Sequence, residues 1–115
     1  MHVSGKQSSY LMAFTRPLPG KEAEYNAWYD TVHVKEVVAI PGIVSGRRFR
    51  LTAAQMDDSA RDYPYLVVYE IEAGQEQAVL DRIRNAMPQM RIDPVIDMSH
   101  SPSFMVEALG DTWTG

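Results

Sequence analysis

The chain has 115 residues, the size of one ordinary domain and too few for two independent cores. With 45% hydrophobic and 23% charged residues it is neither disordered nor fibrous, and 11 basic against 15 acidic residues leave a formal net charge of -4, which argues against nucleic acid as a partner. Cysteine is absent, which excludes disulfides, a thiol nucleophile, and zinc or iron–sulfur clusters held by cysteine.

No apolar stretch approaches the roughly 20 residues needed to span a bilayer, and MHVSGKQSS at the start lacks the apolar core of a secretory signal. A cytoplasmic protein with no membrane partner is expected. No repeat or composition shift marks a linker, so residues 1–115 read as one domain, with residues 1–8 a flexible end.

In chain order, Ser9 to Thr15 is short, apolar and aromatic, and Pro17, Pro19 and Gly20 stop it: a strand and a turn. Lys21 to Ile40 contains no Gly or Pro, carries Glu22 and Glu24 where a helix N-terminus favours acids, and runs into Pro41-Gly42. This spacing predicts the longest helix. Ile43 to Leu51 predicts a second strand, with Ile43, Ser45, Arg47, Phe49 and Leu51 on one face and Val44, Gly46, Arg48 and Arg50 on the other. Ala53 to Tyr63 is polar and reads as an exposed loop. Pro64 to Glu72 predicts a third strand, and Gln75 to Met87 a helix with Val79, Ile83 and Ala86 at helical spacing. Pro94 to Ser103 is loop-like, and Phe104 to Leu109 predicts the last strand.

The order β-α-β-β-α-β is that of the ferredoxin-like α+β fold, a four-stranded antiparallel sheet with two helices on one face. Strands one and three, however, carry apolar residues on both faces: Tyr10, Met12 and Phe14 alternate with Leu11 and Ala13, and Leu66 and Val68 with Tyr65, Val67, Tyr69 and Ile71. One of these faces would stay wet in a monomer, so a homodimer joined through the sheets is expected.

On a helical wheel Tyr25, Trp28, Tyr29, Val32, Glu36 and Ile40 share one face, with His33 at its edge. His33 and Glu36 are three residues apart and can touch, and an imidazole and a carboxylate beside aromatic rings suit acid–base chemistry. A structural ion pair would use the same spacing. Arg47, on a face otherwise apolar, suits an anionic ligand oxygen, and charges on an edge strand also oppose aggregation. His100 reads as a surface residue, and the three histidines have no metal-ligand spacing, so no metal is expected.

The run Trp28-Tyr29-Asp30-Thr31-Val32-His33 followed by Pro41-Gly42, set between the strands SYLMAFT and IVSGRRFRL, resembles the dimeric α/β-barrel superfamily, in particular its EthD-like branch. The resemblance implies a dimeric barrel with a ligand cavity between sheet and helices of each subunit, and it places His33 at the position of a catalytic or pocket histidine with Trp28 before it. Its members include ring cyclases, isomerases, cofactor-free monooxygenases and haem binders, so the fold leaves the reaction open. The expectation is a small cofactor-independent isomerase, cyclase or lyase for a hydrophobic, aromatic or polycyclic carbonyl compound. In it His33 and Glu36 are catalytic, and Trp28, Tyr29, Arg47, Phe49 and Tyr69 bind substrate. A monooxygenase of the same fold, a non-catalytic ligand carrier, and haem bound through His33 are the alternatives.

Overall fold

The computed structural model describes residues 8–115; the expectation for the N-terminal end therefore lies, apart from Ser8, outside the described residues. The elements are β1 (Ser9–Thr15), α1 (Glu22–Trp28), a π-helical segment (Tyr29–His33), α2 (Val34–Val38), β2 (Ile43–Arg50), β3 (Tyr65–Ile71), α3 (Glu76–Ala86), a short 3-10 turn (Met87–Gln89) and β4 (Ser103–Glu107). All neighbouring strands are antiparallel in the order β2-β3-β1-β4, which is the ferredoxin-like sheet.

The period-2 alternation of β3 decides which face is covered: Tyr65, Val67, Tyr69 and Ile71 are buried, whereas Leu66, Val68 and Glu70 are half-buried. Helices α1 to α3 lie on the first set. Tyr25 and Val79 are fully buried there, with Trp28, Tyr29, Val37 and Ile40 beside them. Burying a valine such as Val79 contributes about 1.5–3 kcal/mol. Gly42 adopts φ +97 in the turn into β2, and a Cβ there would meet Val79 Cγ2 at 2.7 Å, so the Pro41-Gly42 turn is closed by both conformation and packing.

Two irregularities, each of one residue, change what periodicity predicts. The helix expected over 21–40 winds as π over Tyr29–His33, where the Val34 N–H donates to the Tyr29 carbonyl five residues back. A wider turn takes an extra residue, so the inner stripe runs Tyr25, Tyr29, His33, Val37, Ile40. Val37 is buried and Glu36 lies on the flank, half-buried, in place of the predicted stripe through Val32 and Glu36.

The second irregularity is a register shift between Ile43 and Ser45 on β2. Ile43 pairs with Ile71 on the helix-covered face, but beyond the bulge Gly46 and Arg48 pair with Tyr69 and Val67, so they share that face. Arg47 and Phe49 pair with Val68 and Leu66 and point to the other side. The predicted common face for Ile43, Arg47 and Phe49 is corrected accordingly: one inserted residue inverts the parity of everything after it.

The uncovered sheet face carries Tyr10, Met12, Phe14, Leu66 and Val68, flanked by the exposed Phe49, Phe104 and Val106. Residues 52–59 are exposed, as expected of that loop. Among the described residues no helix is long and apolar enough to cross a membrane.

Candidate functional site

A cavity of about 170 Å³ lies between the helices and the covered sheet face. The sheet contributes Leu11, Ala13 and Thr15 from β1 and Tyr69 from β3; the helical run contributes Trp28, Tyr29, His33 and Val37. Ile83 and Met87 form its far wall, and Ile92, Ile96, Met98, Ser101 and Ser103 close it from the segment before β4. That segment is better ordered than its composition suggests. Val95 and Ile96 are buried, Ile96 bridges to Pro17, and the Leu18 N–H donates to the Val95 carbonyl at 2.9 Å. The Arg16–Asp97 ion pair at 2.8 Å fixes its outer edge, and the Ser99 hydroxyl and N–H donors, with Arg16 second to them, hold the Asp97 carboxyl down at about 2.

The π-helical segment brings His33 to the cavity. Its imidazole stacks on Trp28 with ring centroids 4.9 Å apart and meets Tyr29 edge-on at 5.1 Å. The Trp28 indole N–H donates to the Arg91 carbonyl at 2.9 Å, and the Arg91 N–H donates to Glu36 Oε2 at 3.1 Å, so a single peptide position clamps both flanks of the histidine. His33 Nδ1 and Glu36 Oε1 face each other at 4.0 Å, both buried and both without a hydrogen-bond partner. Burial pushes the His33 pKa down, opposed by the Glu36 charge, so the ring is a neutral base at pH 7.

The structure brings Trp28, Tyr29, His33 and Tyr69 to one cavity and places Glu36 behind His33, outside the lining. Arg47 and Phe49 lie on the opposite sheet face, away from this cavity, where the Arg47 guanidinium sits 5.3 Å from the Phe49 ring centroid. The bulge on β2 is the reason. Arg48 instead reaches under the helix: its guanidinium lies 4.5 Å from the Tyr29 ring centroid and 5.4 Å from those of Tyr25 and Tyr65, and it donates to Asp30 Oδ1 at 2.9 Å and Asn26 Oδ1 at 2.8 Å. Sequence reasoning missed Arg48 because alternation without the bulge sets it on the face opposite Ile43, where it reads as an edge-strand charge. His100 lies at the surface against Tyr63, to which it is hydrogen-bonded. Among the described residues no cluster of three or more His, Asp or Glu could hold a metal ion.

No family model and no curated protein matches this sequence. Solved structures do match the fold. The haem degrader MhuD from Mycobacterium tuberculosis, described with two haems bound in its active site, superposes with a TM-score of 0.62 at 18% identity, over 91% of this chain and 99% of that one. A dimeric ferredoxin-like protein of unknown function from Jannaschia sp. CCS1 matches with a TM-score of 0.56 at 13% identity, over 88% and 99%. SnoaB from Streptomyces nogalater, described as a cofactor-independent oxygenase, matches with a TM-score of 0.54 at 13% identity, over 93% and 97%.

The haem-bound MhuD corrects the expectation that no cofactor is involved: a chain of this fold holds porphyrin, so neither the missing cysteines nor the scattered histidines decide the matter. The cavity itself, at about 170 Å³, is below the roughly 300–1,000 Å³ of drug-sized ligand pockets and does not take a porphyrin in this conformation. With ferredoxin-like architecture shared by a haem degrader and an oxygenase, the chain has the fold of small enzymes and ligand binders.

Proposed function

We propose that the protein is a proton-transfer enzyme of the isomerase, cyclase or lyase type, acting on a hydrophobic carbonyl compound held in the cavity with His33 as the base. The carrying observation is a half-buried, neutral His33 whose buried, unpartnered Nδ1 faces the equally unpartnered Glu36 oxygen at 4.0 Å. A small side-chain rotation closes this gap. Nδ1–H then donates to Glu36, which leaves the Nε2 lone pair free to accept a proton from the ligand. Glu36 orients the ring and favours the imidazolium as it forms. Trp28, Tyr29 and Tyr69 supply aromatic walls, and the EthD-like resemblance of the Trp28-to-His33 run is in keeping with this use of the helix.

The oxygenase description of SnoaB favours a second reading, in which the carbanion left by the same proton transfer reacts with dioxygen. One assay distinguishes them. Aromatic ketones incubated with the protein in D2O exchange their acidic C–H protons under the first reading, whereas oxygen uptake, measured with and without added haemin, rises under the second. His33→Ala lowers either rate by about 10²–10⁴-fold. Exchange unchanged in a folded His33→Ala protein overturns the role of His33, and ligand binding with neither exchange nor oxygen uptake identifies a carrier.

The homodimer is proposed on the uncovered sheet face, where Met12 stands between Val68 and Phe104 in the register. A face of aromatic and aliphatic residues across three strands is more than a soluble monomer ordinarily leaves in water.

A further inference from the structure

Tyr69 carries a polar group that the proton-transfer reading leaves unused. Its side chain lines the cavity, the residue is 3% exposed, and its hydroxyl is buried with no hydrogen-bond partner. The ring is held in place by its cross-strand partner Gly46: a Cβ there would approach Tyr69 Cδ1 and Cε1 to 2.9 Å, so the missing side chain is what lets the ring lie flat on β2. Burial, reinforced by Tyr29 and opposed by Arg48, pushes the phenol pKa up, so the group stays protonated and is a donor at neutral pH. A buried O–H without an acceptor costs stability, and folded chains ordinarily pair such groups.

Ligand size is set by the same walls. A cavity of about 170 Å³ is close to the roughly 150 Å³ of an apolar protein cavity that binds benzene, which matches one ring and a short substituent.

We propose that the Tyr69 hydroxyl donates a hydrogen bond to the carbonyl oxygen of a ligand with a single aromatic ring, and that it holds this oxygen while the adjacent C–H faces His33. The inference rests on the cavity being the site of the proton-transfer reading. In the step, the C–H bond breaks and His33 Nε2 gains the proton; the released pair forms the enolate C=C bond, and the carbonyl π pair moves to the oxygen that Tyr69 hydrogen-bonds. Tyr29 meets His33 edge-on at 5.1 Å and lines the same cavity as Tyr69. Donors aimed at an oxygen that becomes an anion are stronger in the transition state than in the ground state.

The test compares acetophenone with ethylbenzene, which has the same carbon skeleton without the oxygen, by calorimetric titration of the wild-type protein and Tyr69→Phe. Acetophenone is expected to bind the wild type more tightly than ethylbenzene. Tyr69→Phe weakens acetophenone by about threefold to tenfold and leaves ethylbenzene unchanged. The unliganded Tyr69→Phe protein is at least as stable to urea as the wild type, because an unpaired buried hydroxyl has been removed. Equal loss for both ligands, or a destabilised unliganded variant, overturns the donor role; tricyclic anthrone binding as tightly as acetophenone overturns the size assignment. His33→Gln, measured alongside, abolishes α-proton exchange of acetophenone while binding persists. Exchange that survives His33→Gln overturns the base and leaves the Tyr69 contact standing.

Discussion

The imidazole of His33 lies flat on the indole of Trp28, with planes 15° apart and centroids separated by 4.9 Å. This stack is made possible by the π-helical segment that begins one residue after Trp28, and it joins two site residues into a rigid unit. The indole is itself anchored through its N–H to the Arg91 carbonyl. His33 is thereby desolvated on one side by Trp28 and at one edge by Tyr29, while Glu36 supplies the opposing charge at Nδ1.

The protonation of His33 sets a pH dependence with a definite sign. Its folded pKa is below the ordinary 6.5, with burial as the main cause and the Glu36 charge acting the other way. Between the two values the unfolded chain binds a proton that the folded chain refuses, so stability falls as pH drops from 6.5 towards the folded pKa and levels off below it. Above 6.5 the group contributes no slope. Urea titrations across this range should show the loss in the wild type and not in His33→Gln. The acid limb of activity should lie below pH 6.5, and Glu36→Gln should move it lower still; an acid limb above 6.5 contradicts the placement.

Gly46 is expected to be intolerant of even one carbon. In Gly46→Ala the new Cβ would stand 2.9 Å from the Tyr69 ring and from Val38 Cγ1, pressed from β3 and from α2 at once. Overpacking of this kind costs about 1–3 kcal/mol. Chemical denaturation reads the cost, and displaced Tyr69 ring resonances in NMR locate it.

Arg48 acts mainly through its aromatic neighbours. Asp30, its ion-pair partner, is exposed at 63% of its side chain, so that pair is worth little, whereas three tyrosine rings surround the guanidinium. Arg48→Met, which keeps an unbranched stem and removes the cation, should therefore destabilise by about 1–3 kcal/mol, and Asp30→Asn by less than about 1 kcal/mol. Equal effects in urea unfolding would show that the ion pair and not the ring contacts dominates.

The uncovered sheet face is tested by Val68→Glu, which places a charge at the centre of the apolar row opposite Met12 and Arg47. Light scattering at micromolar concentration should give a dimer for the wild type and a monomer for the variant, with unchanged far-ultraviolet circular dichroism. A wild-type monomer rejects the interface.

Much of this architecture is written in local signals. Prolines and glycines bound the strands, the alternation of β3 separates its two faces, and Pro41-Gly42 ends the long helix, so element order and the ferredoxin-like sheet follow from spacing. The aromatic run of the helix also marked Trp28, Tyr29 and His33, which do meet in one cavity.

Phase was harder to read. A wheel or an alternating pattern assumes every residue advances by the same angle, and the chain breaks that assumption twice, at the π turn of Tyr29–His33 and at the bulge between Ile43 and Ser45. The first moves Glu36 off the inner stripe and Val37 onto it; the second sends Arg47 and Phe49 to the far face and Arg48 under the tyrosines. The first is a hydrogen bond from Val34 to the Tyr29 carbonyl and the second a one-residue shift in the pairing of β2 with β3, and neither leaves a mark in the local alternation of apolar and polar residues. Composition and periodicity thus account for the scaffold, and long-range packing accounts for which side chains face the cavity.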